Sequence, residues 1–179
     1  MATSENFFQL FGFTPAFRVD LKSLSAKYRE LQRAAHPDRF AGGTAGDQLL
    51  SVQYAATINQ AYQILKNPLK RAIYLLEIKG IDINKEHSFK LGPDFLMQQI
   101  EYREHLESLA DSANPQAELL ELRQELTALQ DRLHSAFERS YSQGSEEELN
   151  NAVEIVNKLQ FVDKMLLELE RKEDEWLGL

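Results

Sequence analysis

The sequence contains no cysteine among its 179 residues. This absence excludes disulfide bonds, thiolate catalysis and any zinc or iron–sulfur centre held by cysteine ligands of this chain. The sequence also lacks an apolar run of roughly 18 residues or more, so it predicts no transmembrane helix. Residues 1–13 lack the basic start and the small-residue cleavage site of a signal peptide. We therefore expect a globular protein of the cytoplasm that has no membrane partner.

The residue patterns of an active site are missing as well. No glycine-rich phosphate loop, carboxylate pair or nucleophile with an adjacent base is present, so we expect no catalytic residue and no enzyme activity. His87, His105 and His134 are scattered without the spacing of metal ligands, and we predict no metal site. The run of three glutamates at 146–148 is better explained as the first turn of a helix, where the helix dipole favours carboxylates.

The net charge of −8 is unevenly distributed along the chain. Residues 1–80 carry ten Lys and Arg against six Asp and Glu, whereas residues 81–179 carry ten against 22. A basic first half could suggest nucleic acid, but the strongly acidic second half would repel phosphate groups. We therefore expect the first half to bind an acidic protein surface and predict no nucleic-acid partner.

Apolar residues recur at helical spacing through the first half, and no stretch alternates as a β-strand does. The spacing predicts helices over residues 20–35, 47–66 and 69–79, with a short helical turn at residues 4–10. The predicted buried face consists of Leu21, Leu24, Tyr28, Leu31 and Ala35 in the first long helix and of Ile58, Ala61, Tyr62 and Leu65 in the second. These two helices are expected to form an antiparallel hairpin.

The tripeptide His36-Pro37-Asp38 marks the end of the first long helix. Pro37 has no backbone N–H and forces the preceding residue out of the helical region, so the helix should stop there and display polar groups in a turn. Lys22, Arg29 and Arg33 lie on the side of the helix opposite to its buried face. Such a row of charges is often no more than a solvated helix face, but its position beside the tripeptide favours a functional role.

Three residues are weak support alone, because such a string arises by chance in many chains. Here a polar, glycine-containing stretch follows at residues 39–47, and the second helix contains Ile58-Asn59-Gln60-Ala61-Tyr62. Asn67-Pro68 then begins a third helix that contains Lys70-Arg71-Ala72. A helical hairpin with these motifs closely resembles a J-domain.

Helical periodicity lapses after Gly80, so we place a linker at residues 81–93 and divide the chain into domains at residues 1–80 and 94–179. Three more helices are predicted, over about 94–112, 115–143 and from a capping box at Ser145 onward. Their apolar stripes consist of Phe95, Tyr102, Leu106 and Leu109; of Leu119, Leu122, Leu126, Leu129, Leu133 and Ala136; and of Ala152, Ile155, Leu159, Val162, Leu166 and Leu169. Short turns favour an antiparallel three-helix bundle, with an intermolecular coiled coil as the alternative. The predicted fold class is all-α.

Several apolar residues fall outside these stripes, and four of them suggest a surface patch. Leu96, Met97 and Ile100 lie about 110° to 150° from the middle of their helix's stripe, next to charged residues, and Phe161 lies about 140° from its own. An exposed apolar patch of this kind marks a protein-binding site. In the alternative explanation, another packing neighbour or the first half of the chain covers these residues.

A J-domain joined by a short linker to an acidic three-helix region is similar to the HscB family of co-chaperones over essentially the whole chain. The specific motifs lie at residues 67–76, 95–104 and 158–164. The resemblance implies a protein that delivers the iron–sulfur scaffold protein IscU to the DnaK-class ATPase chaperone HscA and stimulates that chaperone's ATP hydrolysis. Any iron–sulfur cluster would belong to the scaffold, and no cofactor of this chain is implied.

The resemblance also implies which residues make these contacts. The chaperone is expected at His36, Pro37 and Asp38 with Lys22, Arg29 and Arg33, and the scaffold at Leu96, Met97, Ile100, Glu101, Glu104 and Phe161. Two alternatives stay open: a general J-protein that serves a DnaK chaperone with other clients, and a structural helical adaptor with no ATPase partner.

Overall fold

The computed structural model describes residues 6–36, 42–83 and 92–177, and every regular element among them is helical. The chain forms two compact units, Met1–Ile81 and Asp82–Leu179. The first contains α1 (Phe7–Leu10), α2 (Leu21–Ala34), α3 (Ala45–Lys66) and α4 (Pro68–Ile78), and the second contains α5 (Pro93–Ser108), α6 (Pro115–Gln143) and α7 (Glu146–Leu177). The predicted all-α fold is confirmed.

Differences from the predicted helix limits are local. Helix α5 ends at Ser108 and continues as a 3₁₀ turn, Leu109–Asp111, so the predicted helix to residue 112 was too long. Pro93 begins α5, one residue before the predicted start at residue 94, and Gly92 precedes it as the cap residue. The predicted domain limits stay a prediction, and residues 84–91 of the predicted linker lie outside the described residues.

Helices α2 and α3 form the predicted antiparallel hairpin. Ser25 contacts Tyr62, and Tyr28 one turn further along α2 contacts Asn59 one turn earlier in α3, which establishes opposite directions. The core of this unit contains Phe8, Phe11, Leu24, Ile58, Ala61, Leu65, Ala72, Leu75 and Leu76. Leu21 is 52% exposed, so its predicted burial was wrong, because it is the first residue of α2 and lies beside an open groove with Tyr62.

Side chains and one glycine set the limits of α4. The Asn67 carboxamide oxygen accepts a hydrogen bond from the backbone N–H of Lys70 at 2.9 Å, and Pro68 occupies the first turn, as predicted. Gly80 has a φ of +81°, a conformation that glycine adopts at helix ends without strain. The buried guanidinium of Arg71 donates a hydrogen bond to the carbonyl of Leu65, which ties α4 to the last turn of α3.

Helices α6 and α7 are antiparallel, since contacts between them pair Arg123 with Glu173, Gln130 with Asp163 and Ser140 with Asn151. Gly144, with a φ of +68°, ends α6 directly before α7 begins. Most of the predicted stripes are buried, with Leu129, Ala136 and Leu166 only half-buried. Burial extends further to Phe137, Val153, Val156, Phe161 and Met165. Helix α7 is therefore buried on more than the one side that its stripe predicted.

Candidate protein-binding surfaces

The first candidate surface is the outer side of α2 and its C-terminal end. Lys22, Arg29 and Arg33 are exposed, and at about 100° per residue they lie within some 40° of one another. The Arg33 Nε–H donates to the backbone carbonyl of Arg29 at 3.2 Å. We call these three residues the basic row.

Glu30 does not interrupt the basic row. Its carboxylate forms a salt bridge with Lys27 at 3.0 Å, and Lys27 points about 140° away from Lys22 around the helix axis. At the end of α2, His36 is exposed and directly follows the cap residue Ala35. Pro37 and Asp38, which complete the predicted tripeptide, lie outside the described residues.

The second sequence motif, at Asn59, holds the two helices of the hairpin together near this end. The Asn59 carboxamide oxygen accepts hydrogen bonds from the Tyr28 hydroxyl at 2.7 Å and from the Gln32 amide at 2.6 Å. The rings of Tyr28 and Tyr62 stack with their centroids 4.1 Å apart. These contacts of Asn59 and Tyr62 hold the last turns of α2, which His36 follows.

The second candidate surface is on α5. Leu96, Met97 and Ile100 are 47%, 58% and 51% exposed, as predicted. On the helix they share a side about 100° wide, which we call the α5 patch. Three exposed apolar side chains within two turns, followed by charged residues, are typical of a surface that a protein partner covers. Glu104 is exposed one turn beyond Ile100 on the same side, and Glu101 is exposed at the edge of the patch.

Phe161 does not belong to the exposed surface. It is only 8% exposed, so the predicted solvent-facing position was wrong. Helix α5 covers this side of α7: the Phe95 ring meets the Phe161 ring edge-on with centroids 5.7 Å apart, and the Tyr102 ring lies at 6.4 Å. For Phe161 the alternative explanation, a further packing neighbour, is the right one. Its predicted contact with a scaffold stays a prediction.

Polar contacts reinforce this aromatic cluster beneath α5. The Lys158 ammonium of α7 lies 5.5 Å from the centre of the Phe95 ring and is paired with Glu154 at 2.6 Å. The Tyr102 hydroxyl donates a hydrogen bond to the Glu125 carboxylate of α6 at 2.9 Å. No pattern in the sequence indicated the partners of Phe95 and Tyr102, because each contact joins residues from different helices.

Burial, followed by the hydrogen bond to Glu125, raises the pKa of Tyr102 from 10.0 to about 12. Tyr102 therefore stays protonated as a donor at neutral pH, and α5 remains tied to α6 as well as to α7. The α5 patch thus lies on the exposed side of a helix whose opposite side packs on α6 and α7 through aromatic rings, the Lys158 ammonium and the hydrogen bond from Tyr102 to Glu125.

Replacing Tyr102 by phenylalanine should reduce the loss of stability at alkaline pH. The raised pKa stabilises the fold in full below pH 10, and this contribution is lost as the pH rises through about 12. Denaturant unfolding of both proteins from about pH 9 to about pH 12 measures the effect. The advantage of the wild type should shrink across this window, and a constant difference would contradict the assignment.

Within the described ranges, no group of His, Asp and Glu residues is arranged to hold a metal ion. None of the helices in those ranges combines the length and the apolar content that crossing a bilayer requires. The two candidate surfaces consist of exposed charged side chains and of exposed apolar side chains, and both kinds occur in contacts with other proteins.

Known proteins are similar to this chain in sequence and in fold. Residues 91–170 match the family model of the HSCB C-terminal oligomerisation domain. A co-chaperone protein HscB homolog of Shewanella sp. (strain ANA-3) is 45% identical over 172 residues, which cover 96% of this chain and 99% of that protein. The homolog of Photobacterium profundum is 44% identical over 169 residues, or 94% of this chain and 97% of that one.

Two solved structures extend the similarity to three dimensions. Chaperone HscB from Vibrio cholerae superposes with a TM-score of 0.85 at 40% identity, covering 96% of this chain and 99% of that chain. Human co-chaperone protein HscB gives a TM-score of 0.85 at 26% identity, covering 97% and 84%. Identity of this level over nearly the whole chain, together with a helical hairpin that precedes a helical bundle, shows that this chain belongs to the HscB family of co-chaperones.

Proposed function

We propose that the chain brings the iron–sulfur scaffold protein IscU to the DnaK-class chaperone HscA and stimulates ATP hydrolysis by HscA. The chain itself catalyses nothing in this account, and the cluster belongs to the scaffold. The observation that carries the proposal is the pairing of two separate surfaces on one chain: the basic row that leads to His36, and the α5 patch. We place this activity in the cytoplasm.

The first unit supplies the contact with the chaperone. The basic row gives complementarity to an acidic surface, which speeds encounter and orients the partner more than it adds affinity. His36, with Pro37 and Asp38, is the proposed trigger at the end of that row. The hydrogen bonds to Asn59 support this role because they hold α2 and α3 together beside the trigger.

The second unit supplies the contact with the scaffold. Leu96, Met97 and Ile100 are the proposed apolar anchors, and Glu101 and Glu104 are the proposed charged rim, an arrangement common to protein interfaces. Phe161 contributes from beneath, since its ring packs against the buried side of α5. In this account Phe161 holds the anchors in position.

Steady-state ATP hydrolysis by purified HscA and by DnaK, each with and without the chain, tests the proposal. We expect stimulation of HscA that exceeds stimulation of DnaK. Equal or greater stimulation of DnaK would favour a general J-protein, and no stimulation of either chaperone would favour a structural adaptor. A calorimetric titration with IscU completes the test, because a general J-protein with other clients should not bind it.

The basic row should act through charge. Replacing Arg29 and Arg33 together by alanine should weaken coupling to HscA, and wild-type affinity should fall as the Debye length drops from about 30 Å at 0.01 M salt to about 8 Å at 0.15 M. The matched control replaces Lys164 and Arg171 by alanine. Both residues are exposed on α7, and their replacement removes the same amount of positive charge. A wild-type affinity for HscA that does not change with salt would argue against this role of the basic row. So would a loss of coupling in the control as large as that in the Arg29 and Arg33 variant.

A further inference from the structure

The α5 patch contains the more exposed of the two methionines among the described residues. Met97 is 58% exposed, whereas Met165 is 1% exposed in the core of the second unit. The chain has three methionines and no cysteine, and the remaining methionine, Met1, lies outside the described residues. Because the chain has no thiol, thioether sulfur is the side-chain group that a mild peroxide oxidises most readily. Exposure then directs this oxidation to Met97 in preference to Met165.

We propose that Met97 is a reversible oxidation site that controls docking at the α5 patch, an inference that rests on the proposed function of this patch. The oxidant is hydrogen peroxide. The sulfur lone pair attacks one peroxide oxygen, so that an S–O bond forms and the O–O bond breaks. The departing hydroxide then removes the proton from the oxygen bound to sulfur and becomes water. Sulfur loses two electrons and peroxide gains two, and the product is methionine sulfoxide.

The chemical change matters because of where Met97 lies. A thioether is apolar and flexible, and it adapts to an irregular partner surface beside Leu96 and Ile100. A sulfoxide is polar and accepts hydrogen bonds, so an apolar partner that covers it leaves that oxygen without a donor and weakens the contact. The fold should be unaffected, because Met97 points away from the core that Phe95 and Tyr102 form with α7.

Reversal is chemically available as well. Methionine sulfoxide reductases return the sulfoxide to the thioether, and an exposed site on a helix is accessible to such an enzyme. Oxidation of Met97 therefore acts as a switch at the α5 patch, with the reduced form competent to dock.

The experiment uses the full chain, hydrogen peroxide and IscU. Peptide mass spectrometry should show sulfoxide at Met97 forming at least about ten times faster than at Met165, because reactivity follows exposure. Calorimetric affinity for IscU should fall about tenfold in the oxidised chain and return after treatment with methionine sulfoxide reductase. Met97→Leu is the matched comparison, since leucine has similar volume and no sulfur: whatever its own affinity for IscU, peroxide treatment should not change that affinity.

The outcomes separate the two proposals. An untreated chain that does not bind IscU overturns the proposed function and the oxidation site with it. If the untreated chain binds, then unchanged affinity after oxidation at Met97, equal oxidation rates at Met97 and Met165, or peroxide-induced loss of binding in Met97→Leu each overturns the oxidation site alone. Thermal unfolding of the oxidised chain should match that of the untreated chain, and a large drop would overturn the oxidation site by showing damage to the core instead.

Discussion

Replacing His36 by glutamine is expected to abolish stimulation of HscA ATP hydrolysis while leaving the fold and the affinity for IscU intact. His36 is exposed after the last turn of α2, so its side chain is not part of the buried core. Exposed substitutions usually change stability by no more than ~0.5 kcal/mol. The proposed scaffold contacts lie in the other compact unit, so they should be preserved. The ATPase assay, circular dichroism and calorimetry measure the three properties on one variant.

A matched histidine substitution strengthens this test. His105, on α5, is half-buried and lies outside both proposed surfaces, so His105→Gln controls for the loss of an imidazole elsewhere. The control should stimulate HscA as the wild type does. Full stimulation by His36→Gln would show that the tip of the hairpin is not the trigger and would remove the basis for a J-domain mechanism in this chain.

Truncating the α5 patch should weaken the binding of IscU, whereas truncating Phe161 should lower the stability of the fold. Alanine at Leu96, Met97 and Ile100 together should cost the IscU interaction several kcal/mol, since clustered anchors at interfaces cost about 1 to 4 kcal/mol each without full additivity. Stability should change little, because all three side chains are about half exposed or more. Phe161→Ala should instead lower the free energy of unfolding by about 3 to 5 kcal/mol, the usual cost of removing a buried phenyl ring.

The control for this pair is Leu167→Ala, because Leu167 is an exposed leucine on α7 outside the α5 patch. It should leave both binding and unfolding unchanged. Calorimetric titration with IscU and thermal unfolding of the variants provide the two readouts. A triple variant that unfolds at a much lower temperature would mean that the patch is part of a core, and one that binds IscU normally would mean that the scaffold docks elsewhere.

The difference between Leu96 and Phe161 shows which parts of the structure the sequence could predict. The signals that begin and end helices are local. Helix α4 begins with the cap residue Asn67 and Pro68, and α6 ends before Gly144, in each case through hydrogen bonds and backbone angles within a few residues, so those limits were predictable. Exposure depends on neighbours. A single stripe at helical spacing describes one packing partner, whereas α7 packs against both α5 and α6, so a side chain off the stripe can still be buried.

The supporting contacts of the candidate surfaces were beyond prediction for the same reason. The motif residue Asn59 was visible in the sequence, but its bonds to Tyr28 and Gln32 depend on how α2 and α3 pack. The burial of Arg71 is another case, since a charged residue is expected outside until the Leu65 carbonyl and the Phe17 ring are placed beside it. Residue types thus indicated the candidate surfaces, and tertiary packing determined which contacts support them.

The proposal that this chain joins a scaffold to a chaperone is tested most directly by the rate of HscA ATP hydrolysis with IscU present. This rate is measured for the wild type and for the triple alanine variant of the α5 patch. We predict that both proteins stimulate HscA equally when IscU is absent and that only the wild type gives the further increase when IscU is added. An equal increase with both proteins would contradict the account, because the α5 patch would then have no part in delivering the scaffold.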